Sequence, residues 1–296
     1  MKLFEKNVIS IYGEKGKAWL SDLTRIVERL SAHWELFELK PVNNLSYNYV
    51  LSGLKDTHPI ILKLGLDVNG LEREASALTA FTGFGAVKVL GQKNGALLLD
   101  RAVPGVSLKS YFPRRDARAV QIACDVMKRL RRVPMPRKHS FPHIRDWLLA
   151  LDKDWDIPAH YLEKARKLRN RLLETSANPV LLHGDLHHDN ILQNGKCWVM
   201  IDPKGLIGEP AYEVAAFIRN PVPELLALEE DAVSIITGRI TNFAKTLDLD
   251  PGRIRDWCFV QEILSWTWDL EDGVATDYSR RLTKILDDLV ITKVKH

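Results

Sequence analysis

The sequence predicts an α+β protein of two lobes, a small antiparallel-sheet N-lobe and a larger, mostly helical C-lobe. Three observations carry this prediction. Short apolar runs separated by Gly, Pro, Asn and Asp crowd the first hundred residues, the pattern of strands and turns. Beyond them, apolar residues recur every three to four positions, the period of amphipathic helices. Asn194-Gly195, flanked by two apolar runs, then predicts a hairpin inside the helical half, because both residues tolerate the positive φ of a type I′ turn.

In chain order, Leu20, Leu23, Ile26, Val27 and Leu30 predict a helix over 17–31. Strands are expected at 47–51, 60–66, 87–90 and 96–100, with one helix at 71–81 between them. A turn at Val103-Pro104-Gly105 marks the border, giving an N-terminal lobe over 1–102 and a C-terminal lobe over 103–296. Helical periodicity then covers 116–132, 143–151, 159–175, 211–219, 224–247, 253–272 and 277–292, interrupted by strand signals at 179–183, 190–193 and 197–201.

Composition narrows the functional classes. Hydrophobic residues make up 46% and charged residues 27% of the 296, with 17 Gly and 14 Pro, a balance that excludes disordered and collagen-like chains. A net charge of +4 is too weak to imply nucleic acid or an anionic membrane as partner. Arg129, Arg131, Arg132, Arg137 and Lys138, and separately Lys164, Arg166, Lys167, Arg169 and Arg171, read as solvated helix faces, since no aromatic residues interleave them. Cys124, Cys197 and Cys258 lie far apart among apolar neighbours, as buried small hydrophobes in a reducing compartment do. The first twenty residues lack an apolar h-region and a cleavage site, and no run reaches the roughly 18 apolar residues of a membrane span, so a cytoplasmic protein is expected.

The densest polar cluster is LLHGDLHHDN at 181–190, followed by IDPKG at 201–205. An apolar strand running into His183-Gly184-Asp185 holds a carboxylate rigidly at a strand end. If Asn194-Gly195 turns the hairpin, Asn190 and Asp202 emerge at one open end, where an amide oxygen and a carboxylate suit a hard cation. Asp185 is then free to approach as a base. A zinc cluster of His183, Asp185, His187, His188 and Asp189 is disfavoured, because an alternating loop points these side chains apart; His183 reads instead as a hydrogen-bonding support of the loop. Lys63 sits in an apolar strand, where a buried ammonium needs an anion. Glu74 on the following helix is the candidate, with Glu72 competing, and the bland reading is a lysine snorkelling to solvent.

In the helix expected at 253–272, Glu262, Ser265, Asp269 and Asp272 fall within roughly 80° of one another. This acidic stripe either faces solvent or meets a cationic ligand against an aromatic wall. Glu209 and Glu213 are further candidates for such a ligand, being close in sequence to Asp202.

LLHGDLHHDNIL followed by WVMIDPKGLIGEPAYEVAAFIRNP resembles the aminoglycoside phosphotransferase family, of protein-kinase-like fold, and most its streptomycin 6-phosphotransferase and hydroxyurea phosphotransferase branch. Protein kinases write His-Arg-Asp and Asp-Phe-Gly at these places, so a protein substrate is disfavoured. The resemblance implies an ATP-dependent O-phosphotransferase acting as a monomer on a small cationic acceptor, streptomycin-like aminocyclitols first. It implies that Lys63, oriented by Glu74, contacts the α- and β-phosphates, and that Asn190 and Asp202 hold Mg²⁺. Asp185 would align the attacking hydroxyl. Residues 43–50 occupy the place of the nucleotide-covering loop without its paired glycines, leaving Ser46 and Asn48 to meet phosphate oxygens. Main-chain groups near Asp100 and Ala102 would receive the purine, with ATP and GTP both open. Asp185, Glu209, Glu213, Glu262 and Asp269 are the expected acceptor carboxylates. Two alternatives stand beside this reading: a kinase of choline, homoserine or a sugar, and a catalytically idle nucleotide-binding module.

Overall fold

Alternation along one strand explains how the N-terminal lobe places its lysine. In this computed structural model, which describes residues 2–43, 45–136 and 140–289, a five-stranded antiparallel sheet is built from β1 (Leu36–Pro41), β2 (Tyr49–Lys55), β3 (His58–Leu64), β4 (Val89–Lys93) and β5 (Ala96–Asp100). Its order is β1-β2-β3-β5-β4. Ile60, Leu62 and Leu64 of β3, with Ala96 and Leu98 of β5, face the helix α1 (Lys2–Trp34) and bury against Phe4, Val8, Leu23 and Leu30. Each of the Val, Leu, Ile and Phe side chains among them contributes about 1.5–3 kcal/mol by leaving water. Leu97 and Leu99 point the other way, into a larger core with Leu71, Ala75 and Leu78 of α2 (Val68–Ala80). By the same period of two, Lys63 leaves the α1 side and faces α2 and the cleft.

Two differences from expectation lie in this lobe. α1 runs from Lys2 rather than 17, bending at Gly13 (φ 56°, ψ −130°), a conformation a residue without Cβ adopts cheaply. β1 was not expected at all. Only Leu36 of its six residues is buried, so this edge strand carries no alternation to read. The apolar cores also do not divide at residue 102, since the larger one continues from α2 and β5 into the helical half.

The C-terminal lobe holds α3 (Asp116–Leu130), α4 (Ile144–Leu148), α5 (Ala159–Glu174), α6 (Pro210–Arg219), α7 (Val222–Leu226), α8 (Glu230–Leu247), α9 (Pro251–Glu271) and α10 (Asp277–Asp288). A short 3-10 turn, Leu149–Asp152, continues α4. The helix expected over 224–247 is two helices, because Glu229 adopts φ 49° between them. α9 is central: Trp257, Phe259, Val260, Ile263, Leu264 and Trp266 are all buried. Expected residues 137, 138 and 290–292 lie outside the described residues, as does Asn44 of the 43–50 loop.

Small strands carry the polar loops. β7 (Val180–Leu182) pairs antiparallel with β10 (Leu206–Gly208), while β6 (Pro104–Ser107) pairs with β8 (Ile191–Asn194), itself a hairpin with β9 (Cys197–Met200). The expected turn at Val103-Pro104-Gly105 thus opens a strand. Asn194 pairs with Cys197, so the two loop residues are Gly195-Lys196, one position later than expected, with Gly195 at φ 57°. Cys197 beside that turn is exposed, against the expectation of three buried cysteines. The basic stripe of α5 is likewise not simply solvated: Arg166 donates to the Leu151 carbonyl at 2.8 Å, Arg169 pairs with Asp152 at 2.6 Å, and Arg171 pairs with Asp256.

Candidate active site

Lys63 is 7% exposed and donates to Glu74 Oε2 at 2.6 Å and to Asp202 Oδ1 at 2.8 Å. Burial alone would lower its pKa, but the two carboxylates outweigh burial and raise it. Asp202 shows the reverse balance. Burial would raise its carboxyl, while Lys63 and Lys204 hold it well below the usual carboxylate range. Glu72, two residues before Glu74 and so about 200° round α2, is exposed. Asp202 adopts φ 58°, a left-handed backbone that costs a non-glycine residue about 1–2 kcal/mol and aims the carboxylate back towards the N-terminal lobe.

The loop bearing Asp185 is cross-linked by His183 and Glu213. The His183 Nε2–H donates to the Ile201 carbonyl at 2.8 Å and Nδ1 accepts from the Asp185 N–H at 3.2 Å, which together assign the Nε2-protonated neutral ring. Burial agrees, pushing the imidazole down to about 3. The His183 carbonyl accepts from the Lys204 N–H at 2.7 Å, tying the Asp185 loop to the Asp202 loop. Glu213, buried on α6, accepts from the N–H groups of His183 at 2.6 Å and Gly184 at 3.0 Å. Burial pushes its carboxyl up to about 7 against these two bonds. Gly184 stands at φ 86°, and a Cβ there would meet Leu206 at 2.9 Å.

Asn190 donates Nδ2–H to the Asp185 carbonyl at 2.8 Å, and among the described residues its Oδ1 accepts no hydrogen bond. The Ile201 N–H donates to the Asn190 carbonyl at 3.0 Å, so Asn190 and Asp202 sit side by side at the open end of the β8–β9 hairpin. Asp202 Oδ2 accepts no hydrogen bond among the described residues. An amide oxygen and a carboxylate oxygen fit a hard divalent cation such as Mg²⁺.

Two clefts meet at this point. One, of about 120 Å³, is lined by Asn48, Asp67, Arg73, Glu74, Asp202 and Lys204 among others. The second, of about 290 Å³, is lined by Asp185, Tyr212, Arg219, Gln261, Ser265 and Trp268 among others. Trp147 and Lys204 line both. Trp147 packs edge-to-face on Trp268, with ring centroids 5.3 Å apart.

Several expected residues are used elsewhere. Glu209 is buried, accepting from Arg253 Nε at 2.7 Å and from the Trp257 indole N–H, and does not line the second cleft. Glu213 holds the loop backbone, as above. Glu262 forms a buried pair with Arg219 at 2.8 Å. Asp269 accepts from Ser279 at 2.6 Å, and Asp272 from the Tyr47 hydroxyl at 3.1 Å. The cleft face of α9 is Gln261, Leu264, Ser265 and Trp268, which shares Ser265 with the acidic stripe but leaves out Glu262, Asp269 and Asp272. Among the described residues, Asp185 is therefore the one carboxylate lining the second cleft. Ser46 is exposed and its carbonyl accepts from Asn7, whereas Asn48 lines the first cleft. The Asp100 N–H is donated to the Lys88 carbonyl and its carboxylate meets His58; Ala102 is buried, and among the described residues its main-chain groups make no hydrogen bond.

Sequence reasoning missed Trp147, Lys204, Arg219 and Trp268 as site residues. Lys204 had a signal, lying two positions after Asp202. Trp268 stands at i+7 from Gln261, a face recognisable only once the position of α6 is known.

The fold is that of the protein-kinase-like phosphotransferases. The chain superposes on a thermostable mutant of aminoglycoside phosphotransferase APH(4)-Ia in ternary complex with ADP and hygromycin B, with a TM-score of 0.68 and 15% identity, covering 88% of this chain and 96% of that one. The chain belongs to the aminoglycoside/hydroxyurea antibiotic resistance kinases, whose family profile matches residues 33–273. It is 27% identical over 278 residues to a streptomycin 6-kinase of Streptomyces glaucescens, covering 89% of this chain and 88% of the relative. To a streptomycin 3''-kinase of Klebsiella pneumoniae it is 29% identical over 251 residues, covering 81% and 91% respectively.

Proposed function

We propose that the protein transfers the γ-phosphate of ATP to a hydroxyl of a small cationic acceptor, a streptomycin-like aminocyclitol, in the cytoplasm and as a monomer. The observation carrying this reading is the meeting of the two clefts between Asp185 and Asp202, the first reached by Lys63 through Asp202 and the second lined by Asp185. Family membership and the streptomycin kinases among its relatives support the same chemistry.

In this reading Lys63, fixed by Glu74, binds the α- and β-phosphates, and the main chain at Ala102 receives the base. Asn190 Oδ1 and Asp202 would hold Mg²⁺, which when bound would supply positive charge against the phosphates. Asp185 accepts the proton of the acceptor hydroxyl as its oxygen bonds to the γ-phosphorus and the bond to the ADP oxygen breaks. His183 and Glu213 keep Asp185 in line, and positioning of this kind accounts for much of the acceleration. The acceptor cation meets Asp185 and the Trp147–Trp268 faces, to which a guanidinium is attracted.

One observation favours a second acceptor class. A cleft with a single carboxylate also suits a small neutral hydroxy compound, and one relative is a hydroxyurea phosphotransferase. ADP release with MgATP against streptomycin, hygromycin B, choline and hydroxyurea separates the classes. Asp185→Ala is expected to abolish transfer while ATP affinity stays within a few-fold, and transfer undiminished in that variant refutes the mechanism.

A further inference from the structure

We infer that Lys204 is a catalytic residue that touches the phosphoryl group in transit. The inference rests on the phosphotransfer reading above and adds to it a cation none of its assignments requires. Lys204 and Trp147 are the residues shared by both clefts, and Lys204 is the charged one. Its Nζ lies 3.3 Å from Asp202 Oδ1 and 4.0 Å from Asp185 Oδ2. Asp202 belongs to the phosphate side and Asp185 to the hydroxyl side, so the group that moves from one cleft to the other passes within reach of this ammonium.

Among the other cations nearby, Arg73 lines the first cleft only, and two more are committed. Lys63 is held at 2.6 Å and 2.8 Å by two carboxylates, and Arg219 pairs with Glu262 at 2.8 Å. Lys204 has looser partners, and 37% of its side chain is exposed. Its backbone, by contrast, is fixed by the bond from its N–H to the His183 carbonyl at 2.7 Å. A rigid backbone carrying a loosely held ammonium is suited to a charge that appears only when the phosphoryl group is between its two partners. In that transfer the hydroxyl oxygen bonds to phosphorus, the bond to the ADP oxygen breaks, the hydroxyl proton goes to Asp185, and Lys204 keeps its own protons while its charge meets the equatorial oxygens.

The test is Lys204→Met and Lys204→Arg in the full chain, read by ATP and ADP binding and by single-turnover γ-phosphate transfer to the acceptor or, with none added, to water. Lys204→Met is expected to slow transfer by roughly 10²–10³-fold, as loss of a transition-state donor does. ADP affinity should stay within twofold while ATP affinity falls several-fold, because only ATP brings the group Lys204 touches. Lys204→Arg should recover part of the rate. ADP and ATP affinities falling alike, with a lowered Tm and no recovery in Lys204→Arg, would make Lys204 a structural spacer and overturn the inference. Should Lys204→Met fail to fold, Lys204→Gln is read in the same assays: a rate loss with ADP affinity kept supports a contact with the phosphoryl group, and unchanged transfer refutes it. Wild-type protein that binds neither ATP nor ADP would instead sink the phosphotransfer reading.

Discussion

Glu213→Gln separates a carboxylate that holds the loop from one that meets the acceptor. Both Glu213 oxygens accept main-chain N–H groups, from His183 at 2.6 Å and Gly184 at 3.0 Å, and the side chain is 6% exposed. Glutamine keeps the shape but offers one oxygen; its NH₂ then faces one of the two N–H donors. Losing a bond to a charged acceptor costs about 1.5–3 kcal/mol, and a donor left buried adds about 1–3 kcal/mol, so a destabilisation of about 3 kcal/mol is expected. At roughly 2 °C per kcal/mol for a long chain, Tm should fall by about 6 °C. Asp185 follows Gly184 directly, and a displacement of about 1 Å in such a group costs on the order of 10²-fold in rate. Initial rates against MgATP and acceptor should therefore show kcat down by tens- to a hundredfold with acceptor KM within about twofold. A raised acceptor KM with unchanged Tm would refute this reasoning and return Glu213 to the acceptor.

Two further outcomes follow from the same geometry. Trp268→Ala removes the partner of Trp147 and an aromatic face 38% exposed at the second cleft. Losing about 1–2 kcal/mol of cation–π attraction should raise KM for a cationic acceptor about tenfold with KM for ATP unchanged, and an unchanged acceptor KM would remove the aromatic wall from recognition. His188, fully buried against Phe217 at 3.8 Å between ring centroids, is pushed down to about 4 by burial. Between that value and about 6.5 the unfolded chain binds a proton that the folded chain refuses, so stability falls as pH drops through this window, by about 3 kcal/mol at its acid end. His188→Gln should lessen the fall in Tm between pH 6.5 and pH 4.5 without abolishing it, since buried His183 contributes across the same window, and an unaltered slope would show that His188 is not among its sources.

What was legible in the sequence was what lies close along the chain. Asp185, Asn190 and Asp202 span 18 positions joined by one hairpin, so their types and spacing carried the geometry even though the turn fell one residue later than expected. Lys63 was readable because an ammonium in an apolar strand must find an anion, and Glu74 stands on the next helix. The missed strands carried no pattern: β1 buries one residue, while β6 and β10 span four and three residues and take their partners from distant segments.

The acceptor side was misread for a different reason, which bears on its chemistry. A carboxylate in a sequence shows its charge but not its partner, and the partners of Glu209 and Glu262 lie 44 and 43 positions away, at Arg253 and Arg219. Once those pairs form, the acidic residues expected to attract a cation are neutralised inside the lobe. Among the charged residues lining the second cleft, Asp185 is opposed by Lys204, and Arg219 is offset by Glu262 behind it. The cleft therefore approaches neutrality before substrates arrive. Under the phosphotransfer reading, the negative charge a cationic acceptor meets comes largely from the nucleotide, and its selectivity comes from the shape of the tryptophan wall rather than from an acidic lining.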